Sequence, residues 1–310
     1  MSGFAGPHPL SGCPRRIAPW LALGLLACGS PPSSEPAPGA VPLGPPPGDE
    51  FRPEDPRWKR VFVASSEDGL HWEPLPGPLV TTASSPQLVR QGGELRVYYV
   101  QHGRSIAWVP LAGGDAHAVD IQGLDGGMQV DPCLVSLPDD RLRLYLVHHP
   151  VSADPGLVGS NRVLSALSAG DGEWKLEPGV RLEGAWVDPD VVPLPDGGVR
   201  MFLTRSTREV ASARSPDGLD FTVEEGMRFV GGGVTSTIPG DDGWWMYFHE
   251  AGSLGRSHSP DGVSFQAAQR LEIPAPDDGA WMLESPSVLR DGERWLMAYV
   301  AAPTSEGQVR

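Results

Sequence analysis

Short apolar segments separated by polar turns fill the chain from Trp58 almost to its end. Five of these segments follow a tight turn directly: 95–100, 142–147, 199–203, 244–248 and 295–300. Pairs in the turns such as Gly92-Gly93 and Asp291-Gly292 supply the positive φ angles that short hairpin loops need. The pattern therefore predicts five β-hairpins with these segments as their second strands.

A motif with an early proline marks the first strand of most hairpins. It occurs as Ser85-Pro86, Asp131-Pro132, Asp188-Pro189 and Ser285-Pro286. The interval between the last two is about twice the others, and Thr235, which lacks the proline, stands where the missing copy belongs. The chain thus contains five copies of a unit with a period of about 50 residues.

A further element, Ser-x-Asp-Gly-x-x-aromatic, occurs three times, at 66–72, 215–221 and 259–265. Its aspartate can accept backbone N–H groups across the turn, and its aromatic residue can hold the outer hairpin to the blade. We interpret these aspartates as structural residues and not as catalytic ones.

The repeated unit predicts an all-β fold, a five-bladed β-propeller with four-stranded blades, over residues 58–301. The chain begins with the third and fourth strands of one blade and ends with the first and second. Pairing of the N- and C-terminal strands is expected to close the ring and protect its edges. Residues 302–310 are expected to form a C-terminal tail.

The segment before the propeller has a different composition. Arg15 and Arg16 precede an apolar stretch at 17–27, which matches an export signal and is too short to span a membrane as a helix. The sequence Leu-Leu-Ala-Cys that ends at Cys28 resembles the lipobox of bacterial lipoproteins. The resemblance implies a signal peptide at 1–27 and a lipid on Cys28. An ordinary secretory signal, or a cytoplasmic protein with an apolar start, is the alternative.

A Pro-rich tether is expected at 28–57, and Gly29 after the cysteine resembles the sorting pattern of outer-membrane lipoproteins. These features together imply a monomer at the bacterial cell envelope that meets the membrane only through its lipid anchor. The mature chain would keep Cys133 alone, so no intrachain disulfide is expected. The net charge of −15 disfavours nucleic acid as a partner, because phosphate binding needs a concentrated basic surface.

The first strand of each propeller blade lines the central channel. Alignment of the units puts polar residues in one column there, with Glu284 beside it: Ser85, Asp131, Asp188, Thr235 and Ser285. Crowded carboxylates raise at least one pKa, and cleavage of a glycosidic bond needs one protonated and one ionised carboxyl. The alternative is that Asp131 and Asp188 accept backbone hydrogen bonds at the strand entry, or hold a cation or water.

The Val-Asp-Pro motifs around Asp131 and Asp188 and the Glu-Ser-Pro motif at Glu284 resemble those of the five-bladed propeller glycoside hydrolases, the arabinanase, β-xylosidase and fructosidase-like families. The resemblance implies Asp131 as base or nucleophile, Asp188 as the residue that tunes its pKa, and Glu284 as acid. The chain departs from the family pattern because Thr235 stands in the blade where the acid belongs.

A propeller that has lost catalysis and binds a saccharide or an envelope protein is the alternative function. A six-bladed sialidase-like fold is disfavoured by the count of five units and by the lack of arginines in the column.

Four residues are expected to bind the carbohydrate: Trp186 and Trp281 at the channel mouth, and Ser85 and Thr235 in the column. His102, His148-His149 and His249-Glu250 end the second strands, but their spacing matches no standard zinc site. No metal ligand and no cofactor is predicted, although the channel offers a place for a structural cation.

Overall fold

The computed structural model describes residues 55–150, 161–169, 172–205, 209–276 and 281–304. Within these ranges the chain forms 24 β-strands and one 3₁₀ turn at Pro56–Trp58. No helix in this part of the chain is long and apolar enough to cross a membrane. The expected signal peptide, Cys28 and most of the expected tether lie outside the described residues.

The strands form five sheets, each of which is one blade. The chain starts in the closing blade with β1 (Arg60–Ser66), β2 (Glu73–Pro74) and β3 (Val80–Thr81). Blade 1 contains β4 (Ala83–Gln91), β5 (Glu94–Gln101), β6 (Ser105–Pro110) and β7 (His117–Ala118). Blade 2 contains β8 (Ile121–Gln122), β9 (Met128–Ser136), β10 (Leu142–His149), β11 (Asn161–Ser168), β12 (Trp174–Leu176) and β13 (Leu182–Gly184).

Blade 3 contains β14 (Trp186–Pro193), β15 (Val199–Arg205), β16 (Glu209–Ser215), β17 (Thr222–Val223) and β18 (Phe229–Val230). Blade 4 contains β19 (Gly233–Gly240), β20 (Gly243–Glu250), β21 (Ser253–Ser259) and β22 (Gln269–Arg270). The last two strands, β23 (Trp281–Asp291) and β24 (Arg294–Pro303), complete the closing blade.

The blades surround a central channel. Their inner strands contact one another in the ring order β4, β9, β14, β19, β23 and back to β4. The first strand of the chain, β1, pairs with the last, β24, from Arg60 opposite Ala301 to Ser66 opposite Trp295. The predicted five-bladed propeller and its closure by N- and C-terminal strands are confirmed, and β24 extends to Pro303, into the expected tail.

The outer Ser-x-Asp-Gly turns have the structural role that was predicted. In the turn at 215–218, Asp217 Oδ1 accepts the N–H groups of Leu219 and Asp220 at 2.8 and 3.1 Å. These backbone hydrogen bonds lower the pKa of Asp217 to about 2. Asp261 makes the equivalent bonds in its own turn, and its pKa is lowered to about 2 for the same reason.

The aromatic residue near each turn, and Trp174 in blade 2, holds its blade against the preceding blade. Each contacts an aromatic residue on the second strand of that blade edge-on, with ring centroids 5.9 to 6.2 Å apart: Trp72 with Tyr247, Trp174 with Tyr98, Phe221 with Tyr145, and Phe265 with Phe202. Such pairs contribute about 0.5–1.5 kcal/mol beyond the burial of their area. The aromatic residues therefore join neighbouring blades, in addition to covering their own.

Side chains near the channel also join the inner strands. Ser287 Oγ accepts the N–H of Leu88 at 2.8 Å, and Cys133 Sγ accepts the N–H of Val191 at 3.2 Å. Burial raises the pKa of the Cys133 thiol, and the side chain is almost inaccessible to water. Cys133 is thus a small buried packing residue and not a nucleophile.

Candidate functional site

The same backbone distortion occurs near the start of all five inner strands. Pairing with the second strand skips two residues there, which form a β-bulge. The first bulge residue has a φ between 45° and 52° in every blade: Ser85, Asp131, Asp188, Val234 and Ser285. Residues with a side chain rarely adopt this conformation, so the packing of the ring must impose it.

The predicted column is correct in four blades and wrong by one residue in blade 4. Val234 takes the column position there, and Thr235 follows at the position that proline has in the other blades. The physical reason is that the bulge fixes the register, and this copy has no proline to mark the bulge in the sequence. Thr235 nevertheless lines the channel cavity beside Val234.

Asp131 and Asp188 form a hydrogen-bonded pair in neighbouring blades. Asp131 accepts the Asp188 N–H, and its Oδ1 accepts the Ser85 hydroxyl at 3.0 Å. On the other side, the Thr204 hydroxyl donates to the Asp188 carboxylate, while Thr204 Oγ1 accepts the Val234 N–H at 3.0 Å. The carboxylates are therefore fixed from both sides by groups of blades 1 to 4.

Both carboxyl groups are half-buried, and their surroundings raise the pKa of each. Desolvation is the largest cause in both cases. For Asp188 the charge of Asp131 adds to it, which holds the pKa well above the usual range. Because two like charges in contact do not ionise together, the pair keeps a proton at a pH where an isolated aspartate has lost it. The pair can thus supply an acid and a base.

Glu284 approaches the same end of the channel from the closing blade. Its charge contributes to the raised pKa of Asp188. Lys59 Nζ donates to Glu284 Oε2 at 2.7 Å, in an ion pair whose side chains are only 18% and 23% exposed. The charge of Lys59 also opposes the rise in the pKa of Asp131 and of Asp188. Lys59 thus links the three predicted carboxylates: it contacts Glu284 directly, and its charge acts on Asp131 and Asp188.

Lys59 and Thr204 belong to this site and were missed by the sequence reasoning, which considered the third member, His249, only as a metal ligand. His249 lies opposite Gly233, at the second-strand position that Thr204 has in blade 3. Burial lowers the pKa of His249, while the nearby charge of Glu284 opposes the change. The rarity of lysine was the one sequence feature that could have drawn attention to Lys59, because the chain contains only two lysines.

One of the histidines that end second strands, His148, is held by a hydrogen bond: its Nε2 donates to the Gly126 carbonyl at 2.6 Å. In the part of the chain that the structure describes, no three His, Cys, Asp or Glu side chains are grouped so that they could hold a metal ion.

The two tryptophans expected at the mouth have different surroundings. Trp186 is half-buried at the start of β14, and the Arg205 guanidinium lies 5.9 Å from its ring. Trp281 packs edge-on against Phe62 of β1 with centroids 6.0 Å apart, and the Arg60 guanidinium lies 5.3 Å from its ring. Trp281 thus takes part in the packing of the closing blade, and a role for either residue in sugar binding stays a prediction.

The cavity between the bulges is small. Its volume is about 20 Å³, and its lining includes Ser85, Asp131, Asp188, Val234 and Thr235. This space holds about one water molecule. The space is too small for a sugar ring.

No protein-family model and no curated protein sequence matches the chain. Solved structures do resemble it. A thermostable family-43 glycoside hydrolase superposes with a TM-score of 0.56 at 13% identity, covering 71% of this chain and 89% of its own. The chain shares the five-bladed propeller fold of the family-43 enzymes.

Two further solved structures agree with this fold. An α-L-arabinofuranosidase from Clostridium thermocellum has a TM-score of 0.52 at 14% identity, covering 69% of this chain and 80% of its own. An α-L-arabinofuranosidase from Podospora anserina, solved in complex with cellotriose, has a TM-score of 0.51 at 12% identity, covering 72% and 91%. Likeness at such low identity shows the fold, and function has to be argued from the site.

Proposed function

We propose that the chain is a glycoside hydrolase of the bacterial cell envelope that cleaves a carbohydrate at the mouth of the channel. The observation that carries this proposal is the hydrogen-bonded pair of Asp131 and Asp188 with raised pKa values, on which the charge of Glu284 also acts. The fold that the chain shares with family-43 glycoside hydrolases supports it.

In this mechanism Asp131 is the base. The water-sized cavity that it lines provides a place for the attacking water, whose proton passes to the Asp131 carboxylate as its oxygen bonds to the anomeric carbon. Asp188 keeps the proton of the pair and so leaves Asp131 ionised. Glu284, which takes up a proton once the substrate has displaced Lys59, delivers this proton to the leaving oxygen, and the glycosidic bond breaks. If Asp131 instead attacks the anomeric carbon directly, the same assignment of residues gives a retaining mechanism.

A second candidate is a propeller that binds a saccharide without cleaving it. The ion pair between Lys59 and Glu284 favours this candidate, because it occupies the carboxyl that hydrolysis requires as an acid. The hydrolase therefore requires that a bound substrate displace Lys59 from Glu284.

The envelope location is a separate part of the proposal. The lipobox-like sequence ending at Cys28 supports it. When the chain is expressed in bacteria fed a labelled fatty acid, we expect label on the protein and none on the Cys28→Ala variant. Label on both would contradict lipidation of Cys28.

The decisive experiment measures hydrolysis by the full chain on a panel of aryl glycosides and plant or microbial polysaccharides. Asp131→Asn and Glu284→Gln should abolish turnover, while Asp217→Asn, in an outer turn, should retain it. The anomer first released, observed by NMR, separates the inverting from the retaining version. Saccharide binding without turnover by the unaltered chain would establish the binding candidate in place of the hydrolase.

A further inference from the structure

The backbone of Lys59 is fixed at the rim of the channel. Its N–H donates to the Pro56 carbonyl at 3.1 Å, and its own carbonyl accepts the Ala83 N–H at 3.3 Å. Pro56 packs so closely on the turn after β5 that a methyl group added at Gly103 would lie 3.2 Å from its ring. The short segment before β1 is therefore docked on blade 1, and Lys59 extends from an anchored position.

The side chain of Lys59 lies among charged groups from several blades. Glu284 of β23 is its ion-pair partner at 2.7 Å. Its charge also acts on Asp131 of β9, Asp188 of β14 and His249 of β20. In addition, His149 of β10 acts on Asp131 and His249 lies near Glu284. The chain contains only one other lysine, Lys175, which is exposed on an outer strand. Lys59 is therefore the lysine that acts on the acidic groups of the channel.

We propose that Lys59 is a positioning residue of this site, which holds the Glu284 carboxylate at the channel mouth until substrate binds and balances the negative charge of the Asp131–Asp188 pair. The inference rests on the proposed function in so far as the site is catalytic. The short segment before β1 then contributes a functional side chain to the site, although it belongs to none of the repeated units.

The first test needs no turnover. Reductive methylation with ¹³C-formaldehyde labels both lysines of the full chain, and a Lys175→Arg variant assigns their NMR signals. We expect the Lys59 signal to move over the pH range in which the aspartate pair titrates, and to lose that movement in an Asp131→Asn/Asp188→Asn variant. The Lys175 signal should be the same in both proteins. A Lys59 signal that is indifferent to the pair would overturn the proposal.

The second test uses substitutions of Lys59. Removal of its charge in Lys59→Met should raise the pKa of the pair, so the acid limb of kcat/KM should move up by about one pH unit. Lys59→Arg retains the charge, so the acid limb of kcat/KM should lie at the same pH as in the unaltered chain. Lys175→Met should also leave the acid limb at that pH. A purely structural Lys59 would lower activity equally at all pH values, which would contradict the proposal. If the unaltered chain shows no turnover at all, the hydrolase fails, while the lysine signals still decide the position of Lys59.

Discussion

Aspartates occur at two distances from the axis of the propeller, in the outer Ser-x-Asp-Gly turns and at the inner bulges. Hydrogen bonds from backbone N–H groups, and from His71 in the case of Asp68, hold the pKa of the outer aspartates below the usual range. Asp131 and Asp188 are joined by the hydrogen bond from the Asp188 N–H, and desolvation raises the pKa of each. Surroundings, and not residue type, thus separate a carboxylate that stabilises a turn from one that can carry a proton.

The largest expected effect is the loss of turnover when an inner aspartate is replaced. Asp131→Asn should lower turnover about 10²–10⁴-fold, because an amide cannot accept a proton from water. Its thermal stability should not fall, since the substitution relieves a crowded pair of carboxylates. Steady-state kinetics and thermal unfolding measure both quantities, with Asp217→Asn as the matched control. Equal losses of turnover in the two variants would remove the distinction between inner and outer aspartates.

Asp190 extends the comparison to a carboxyl that is buried between blades 3 and 4. Burial raises its pKa to about 6, against hydrogen bonding from Thr237. The folded state thus holds a proton that the unfolded state releases near pH 4, so its contribution to stability is complete below pH 4 and is lost as the pH rises through about 6. Asp190→Asn should lower this pH dependence of the unfolding free energy by about 3 kcal/mol, and the part that remains belongs to the Asp131–Asp188 pair.

Urea unfolding between pH 4 and pH 8 measures the slope. Asp241→Asn, which changes an exposed aspartate, is the control and should leave the slope intact. A slope as steep in Asp190→Asn as in the unaltered chain would mean that Asp190 is not one of its sources.

Ser85 offers a finer test of the inner site. Its hydroxyl donates to the Asp131 carboxylate and so favours the ionised form. Ser85→Ala should therefore raise the pKa of Asp131 and move the acid limb of kcat/KM upward, by about one pH unit. Ser285→Ala changes the equivalent bulge residue of the closing blade and should leave the limb in place. Identical pH profiles for both variants would show that this hydrogen bond does not set the acidity of Asp131.

The smallest expected effect belongs to an outer turn. Asp217→Ala should lower the free energy of unfolding by about 1 kcal/mol, as loss of an end-capping side chain does in a helix. Because the pKa of Asp217 is lowered, this contribution is present above about pH 4 and is lost as the pH falls through about 2. Chemical unfolding at pH 7 and pH 2 checks both statements. Turnover should be unchanged, and a loss of turnover would count against the structural assignment.

The hairpins and ring closure could be predicted from the sequence because their signals are local, such as the Asp-Gly pairs in turns and apolar segments of strand length. Blade 4 shows the limit of that approach, since without a proline the column position of Val234 was given to Thr235. Lys59 could not be found in this way, because its partner Glu284 is 225 residues away and its own segment lies before the first repeat. The position of the glutamate was predicted, whereas the cation that pairs with it depends on tertiary structure.

The five bulges have a further consequence for how such a ring can change. Each blade forces one residue into a φ near 50°, and serine, aspartate and valine all occupy that position. The conformation costs on the order of 1 kcal/mol per residue, whatever the side chain, and the ring already bears this cost. In evolutionary terms the channel offers five equivalent attachment points that accept new side chains without remodelling of the backbone. A carboxylate can thus be gained in one blade and lost in another while the fold persists. Propellers of this kind can therefore differ in which blades carry their acidic residues.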